Sequence, residues 1–355
     1  MSDKQIVPSQ QNTALTRIQA AGQAANEAAA KNAFRAYRSR KSERTAAIQK
    51  TNLGHFTEFL LSVGAFTEDE DRNLFDVVED WHGVTYGLIE AFRVWMLENS
   101  YSIASVNLAL SNVKVYAKMA FRAGIIPEGE HALIRTITGY SRKDGKELDK
   151  HRIKEDVATR HETAKKAESN TLGIPEARML KKEHDLSTPQ GRRDALMMAM
   201  LIDFGLRCSE VADLKVKNVN LSEKTLTFYR RKVDRTQTFE LSGDNWKAVK
   251  AWFDSGDAPI ASDAPLLRAS RKGGNLTAAG MTERAITGRV KALGLKLLGI
   301  KNLSAHDCRH TGATIYSRKG VDAFQLRDWG GWNSLAMPSH YVEAAAIANE
   351  GMGSI

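Results

Sequence analysis

The sequence predicts a mainly α protein in two parts, with a small antiparallel β-sheet in the second. Three observations carry that expectation. Apolar positions recur at helical spacing in long stretches from Phe34 onward. One stretch, KTLTFYRRKVDRTQTFELS, instead alternates with period two around a polar turn. Residues 136–170 mix charges of both signs with almost no large apolar side chains, and so divide the chain. At 355 residues the chain also exceeds a comfortable single core.

Taken in order, residues 1–32 are rich in Ala, Gln and Asn, and are expected to form a flexible or partly helical arm. Residues 33–135 read as a compact helical domain, built from LGHFTEFLLSVGAF, GLIEAFRVWMLENS and SIASVNLALSNVKVYAKMAFRAGII. In the last of these, Ser102 can cap the start and Gly124 can end the helix. Val106, Leu110, Val113, Ala117 and Ala120 lie along one side of it. Lys114, Lys118 and Arg122 line another at i, i+4, i+8, which suits a helix laid on a phosphate backbone and equally a solvated outer face. Residues 136–170 are read as a charged linker. Residues 171–355 then return to helical periodicity, pass through the hairpin, and continue as helices to the C-terminus.

The bulk properties narrow the class. Fifty-one basic residues against 42 acidic ones give a formal charge of +9, which favours a polyanionic partner over an acidic one. The start, MSDKQIVPSQQNTALTRIQAAG, has no apolar core of signal-peptide type, and the run ALMMAMLI is too short to span a bilayer. A cytoplasmic location without a membrane partner is expected. Cys208 and Cys308 are the only cysteines, so a disulfide framework and a four-cysteine zinc site are excluded, and both are expected as reduced core thiols.

Chemistry-bearing residues concentrate in the second part. In SAHDCRHTGAT, Ser304 can start a helix on which His306 and Arg309 are three apart and His306 and His310 four apart. Two histidines at that spacing match a zinc-protease helix, whereas His306 with Arg309 matches a site that grips an anion. The zinc reading fails on electrostatics, because Arg309 lies between the histidines on the same face and would oppose a divalent cation. Cys308 points about 200° away from His306 on a helical wheel, towards the core. Upstream, Arg207 closes an apolar segment at FGLRCSE and needs a partner, for which Glu210 is three residues away. At the hairpin turn, Lys232 is flanked by Arg230, Arg231 and Arg235, none of which gives up a proton near neutrality, so Lys232 alone there can act as an acid. Near the end, LRDWGGWNSLAMPSHYVEA places Trp332 after a glycine pair and Tyr341 nine residues later.

GLRCSE, HDCRH, GGWNS and HYVEA, in this order and spacing, resemble the catalytic domain of tyrosine site-specific recombinases, the family of phage integrases and Xer-type resolvases. The segment YSIASVNLALSNVKVYAKMAFRAGII is similar to the last helices of that family's core-binding domain, so the resemblance spans about residues 33–345. Trp332 stands where histidine is commoner in the family, and the hairpin lacks the usual G-K-G turn around Lys232.

The resemblance implies a two-domain DNA clamp, with a helical, SAM-like core-binding domain and a mixed α/β catalytic domain. It implies cleavage and rejoining of double-stranded DNA through a 3′-phosphotyrosyl intermediate and a Holliday junction, by a tetramer on two DNA sites. Accessory DNA-bending or directionality proteins are the implied further partners, and no metal or other cofactor is implied. Tyr341 would be the nucleophile, His306 its base, and Arg207 and Arg309 the forks on the scissile phosphate. Lys232 would protonate the leaving 5′ oxygen, and Trp332 would pack the site and donate its indole N–H. Glu210 would orient Arg207 or a neighbouring helix, and His310 would hold the local structure by hydrogen bonding. Lys114, Lys118 and Arg122 would contact DNA, and the tail VEAAAIANEGMGSI would pack on a neighbouring protomer. A type IB topoisomerase, which uses a similar set of groups, and a non-catalytic DNA-binding protein are the alternatives.

Overall fold

The computed structural model describes residues 11–154, 170–271 and 273–345. The chain divides into two compact units, Met1–Lys166 and Ala167–Ile355.

The described residues of the first unit are helical. They form α1 (Gln11–Arg38), α2 (Glu43–Ser62), α3 (Tyr86–Glu98), α4 (Ile103–Arg122), α5 (Glu128–Thr136) and α6 (Arg142–Lys154). Three starts are set locally, where Ser42, Thr85 and Ser102 each accept a hydrogen bond from a backbone N–H three residues on. The core is aromatic, with Phe56, Trp81, Phe92 and Tyr116 all fully buried. Against them lie Val106, Leu110, Val113, Ala117 and Ala120 of α4, so the apolar side read from the sequence is the side that packs.

Two boundaries differ from the sequence reading. Helix α1 runs straight through the expected arm-to-domain junction at residue 33. Phe34 is buried and meets Tyr116 edge-on at 5.0 Å, while Arg38 donates to the Phe75 carbonyl at 2.7 Å, so the end of α1 belongs to the core. The expected linker contains α6, which is organised without an apolar stripe. Ser141 and Asp144 exchange backbone-to-side-chain hydrogen bonds at its start, and Arg152 donates to the carbonyls of Leu97 and Tyr101 at 3.0 Å. Such a helix is invisible to a search for apolar periodicity. Residues 155–169 of that linker and 1–10 of the arm lie outside the described residues.

The second unit is mainly helical with two small antiparallel sheets. Its order is α7 (Ile174–Lys182), α8 (Pro189–Ile202), α9 (Cys208–Asp213), β1 (Val219–Asn220), β2 (Thr225–Arg230), β3 (Arg235–Glu240) and α10 (Gly243–Asp254), followed by β4 (Arg268–Ser270), β5 (Leu276–Gly280), α11 (Glu283–Leu298), α12 (Ala305–Arg318), α13 (Ala323–Gly330) and α14 (Ala336–Ala345). Residues 195–202 of α8 are buried without exception, which is why ALMMAMLI carries no polar face. Strands β1, β2 and β3 form one sheet in that order, and the β2–β3 register ends on the pair Arg230 and Arg235, leaving residues 231–234 as the turn. The β4–β5 hairpin interrupts the run of helices expected after residue 241. Its strands are short and LTAAG has no alternation of large apolar side chains, so only the Gly273–Gly274 pair at its turn signals it. Cys308 is buried in the core, Cys208 is half-buried, and neither is in a disulfide. Among the described residues, no helix is long and apolar enough to cross a membrane.

Candidate active site

Arg207, Lys232, His306, Arg309 and Trp332 line one cavity of about 480 Å³ in the second unit. Four separate segments of the chain therefore meet, and none of the lining residues carries a carboxylate. Such a space attracts an anion.

Arg207 is held by its own helix. It sits at the N-terminal cap of α9, where its backbone N–H donates to Glu210 Oε2 at 2.8 Å and its guanidinium to Glu210 Oε1 at 2.7 Å. The loop before it depends on Gly205, whose φ of +55° is a left-handed conformation and whose missing Cβ would lie 2.4 Å from the Trp329 ring. A larger residue there would push Trp329 away from the carbonyl of Asp203, to which its indole donates at 2.7 Å.

Arg309, on α12, is buried and does two things at once. Its guanidinium donates to the carbonyls of Gly205 and Gly330, the latter at 2.6 Å, and it stacks over the Trp332 ring at 4.4 Å. Burial, then repulsion from Arg207 and Arg230, lowers its pKa, with Glu210 opposing. An arginine keeps its charge near neutrality even so. Trp332 is placed by the left-handed Gly331 at the end of α13, with its backbone N–H on the Arg327 carbonyl at 3.0 Å.

The two histidines of α12 separate. His306 is exposed and faces the cavity. His310 is half-buried, with Nδ1 3.3 Å from the Thr171 hydroxyl and its ring edge-on to Tyr341 at 5.0 Å. Burial and the neighbouring His306 lower the His310 pKa, so its neutral form is favoured. Among the described residues, no group of three or more His, Cys, Asp or Glu side chains is arranged to hold a metal ion.

Tyr341 stands apart from the other five. It is buried in α14 within a small cluster that includes Ala313 and Leu326, and its ring packs on Trp332 at 5.9 Å. It does not line the cavity, whereas Met337, one helical turn earlier, does. Burial raises the Tyr341 pKa, while Arg309 pulls it down less strongly. The phenol is therefore neutral and sheltered in this arrangement.

Lys232 lies in the exposed turn between β2 and β3 and reaches the cavity together with Val233. Two residues earlier is a side chain that the motif reading passed over as ordinary hairpin charge. Arg230 is fully buried, donates to Glu210 Oε2 at 2.7 Å and to the Trp329 carbonyl at 3.1 Å, and also pairs with Gln237. Period two was the available signal, since Leu226 and Phe228 point inward and Arg230 is next on the same face.

In the first unit, the three basic residues of α4 are not equivalent. Lys118 and Arg122 are exposed, but Lys114 is half-buried and spends its ammonium on the carbonyls of Arg135 and Ile137 at the end of α5. Burial lowers its pKa. The regular stripe read from the sequence is therefore a pair of exposed cations and a helix-end contact. Replacing Lys114 with Met is expected to lower unfolding free energy by about 1 kcal/mol while leaving the salt dependence of DNA binding nearly unchanged. Removing Lys118 or Arg122 is expected to do the reverse, reducing the salt slope by about one each. Titrating binding against salt for the three variants checks this.

Comparison with known proteins adds a finding of a different kind. Residues 176–347 match the phage integrase family. The tyrosine recombinase XerC of Roseiflexus castenholzii is 23% identical over 305 residues, covering 85% of this chain and 83% of that protein. Several further XerC proteins match over about half of their length. The Tn1549 transposon integrase, solved with circular intermediate DNA, shares the fold with a TM-score of 0.57 at 15% identity, over 92% of this chain and 99% of that one. A lambda integrase solved as a tetramer on a Holliday junction shares it with a TM-score of 0.55 at 14% identity, over 87% of this chain and 75% of that one. Residues 176–347, in the unit that carries the cavity, are thus a phage integrase domain, and the chain as a whole is similar in sequence to tyrosine recombinases and in fold to integrases.

Proposed function

We propose that this chain cleaves and rejoins double-stranded DNA at specific sites through a covalent 3′-phosphotyrosyl intermediate. The observation that carries the reading is the acid-free cavity in which Arg207, Arg309, Lys232, His306 and Trp332 converge, with Tyr341 one helical turn beyond its rim. A phosphodiester fits that chemistry. Arg207 and Arg309 each fork onto its non-bridging oxygens and stabilise the charge that builds up in the transition state. The Tyr341 oxygen bonds to phosphorus as the bond to the 5′ oxygen breaks. His306 takes the phenol proton and Lys232 supplies one to the departing 5′ oxygen, which as an alkoxide is too basic to leave unaided. Phosphodiester energy stays in the tyrosyl ester, so a 5′ hydroxyl can reverse the step without ATP.

Tyr341 must leave its shelter between Trp332 and His310 for this to happen, so a shift of α14 belongs to the reading. Attack by the 5′ hydroxyl of a second duplex would exchange strands through a Holliday junction, with four copies on two sites as in the lambda integrase assembly. The expected trans-packing tail falls mostly on residues 346–355, which lie outside the described residues. Lys118 and Arg122 would add phosphate contacts in the first unit. Accessory DNA-bending or directionality proteins, and a cytoplasmic location on the chromosome, complete the proposal.

The test is incubation of the full chain with duplex DNA from the flanks of its own locus, in excess chelator, followed by denaturation and mapping of any covalent adduct. A tyrosyl 3′ phosphate on residue 341 supports the reading, and a 5′ linkage would sink it. Lys232→Ala is expected to slow adduct formation by about 10²–10⁴-fold on ordinary DNA. A substrate with sulfur at the bridging 5′ position, whose thiolate leaves without a proton, should restore most of that rate. Equal defects on both substrates would remove Lys232 as the acid.

A further inference from the structure

We infer that Arg230 is a positioning residue of this site, acting through Glu210 on Arg207. This rests on the phosphotyrosine reading above. The guanidinium of Arg230 is fully buried at the inner end of β2, on a strand face that is otherwise apolar. Burying that charge is unfavourable unless it is fully engaged. Three of its four acceptors belong to segments that carry site residues. Glu210 is the carboxylate that holds Arg207. The Phe204 carbonyl, at 3.5 Å, is three residues before Arg207, and the Trp329 carbonyl, at 3.1 Å, is three residues before Trp332.

Arg309 completes the pattern. It donates to the carbonyls of Gly205 and Gly330, the residues immediately following those that Arg230 engages. Two guanidiniums thus tie the same two backbone segments together, one residue apart. Gly331 leaves room for the inner one, since a Cβ there would lie 2.6 Å from Arg230 Cδ. Gln237 closes the arrangement by accepting from Arg230 and donating to the Asp328 carbonyl.

The shared carboxylate has an electrostatic consequence. Glu210 places one oxygen on Arg207 and the other on Arg230, so its charge is divided between two cations. Without Arg230, Glu210 would neutralise Arg207 alone and weaken its pull on a phosphate. Arg230 therefore keeps Arg207 both in place and electrostatically available, without touching substrate itself.

The experiment measures adduct formation by the full chain on the same locus-flank duplex, for wild type, Arg230→Met and Arg230→Lys, each also combined with Arg207→Lys. If Arg230 acts through Arg207, Arg230→Met should slow adduct formation at least about tenfold alone and less than about twofold in the Arg207→Lys background, with DNA retention in a gel shift unchanged. Arg230→Lys, which keeps the cation and loses the fork, should show a smaller loss with the same dependence on Arg207. Should Arg230→Met fail to unfold cooperatively, the lysine variant carries the same comparison. Equal losses in both backgrounds, or no loss, overturn the inference. An adduct from wild type with no Arg230 effect refutes the positioning role alone, whereas no adduct from wild type refutes the cleavage reading on which it rests.

Discussion

Tyr341→Phe is expected to abolish the covalent protein–DNA adduct, a loss of at least about 10⁴-fold, while the protein folds and binds DNA as before. The loss is large because phenylalanine offers phosphorus no nucleophilic oxygen, while the rings packed against it, Trp332 and His310, keep their places. Folding should be spared because phenylalanine keeps both ring contacts, and a change below about 1 kcal/mol in unfolding free energy is expected. The raised pKa of the buried phenol sharpens the argument for a base. Fewer than about one phenol in 10³ is ionised at neutral pH even without that elevation. Denaturing gels of adduct yield, run beside thermal unfolding curves, check both halves. An adduct that survives in the Phe variant would move the nucleophile elsewhere.

Arg309→Ala is expected to injure the protein twice. The rate of adduct formation should fall by about 10²–10³-fold, the usual consequence of losing one preorganised donor to a developing negative charge. Unfolding free energy should also fall by about 2–4 kcal/mol, because the buried carbonyls of Gly205 and Gly330 lose their donors and Trp332 loses the cation stacked on it. Arg207→Ala separates the two effects. Its side chain is a quarter exposed, and Glu210 would still be held by Arg230, so activity should fall comparably with little change in stability. Urea unfolding of both variants decides the matter. Equal stabilities would mean that Arg309 does not join the two loops.

Much of the site was legible because its pieces are local. The capping relation of Arg207 to Glu210, the helix start at Ser304 and the glycine pair before Trp332 are each written within a few residues, and each forms as the spacing suggests. Where the reading went astray, long-range contacts had decided. Lys114 has helical spacing with Lys118 and Arg122, but carbonyls more than twenty residues away claim its ammonium. The helix Arg142–Lys154 lacks an apolar stripe because its anchors are backbone carbonyls of residues 97 and 101. Arg230 looked like one more surface charge, although its strand alternation already turned it inward.

What the sequence determined by itself, then, was the family-bearing order of motifs, the mainly helical class and the identity of the polar groups, since these depend on residue type and on contacts within a turn or two of chain. Tertiary structure alone decided three further things. It gathered Arg207, Lys232, His306, Arg309 and Trp332 around one cavity, buried Arg230 beneath them, and held Tyr341 one step outside. Those outcomes follow from how α12 packs on α8, how α13 and α14 pack on α12, and how Arg230, Arg309 and Trp329 reach the loop after α8, and contacts of about a hundred residues' separation leave no local periodicity to read.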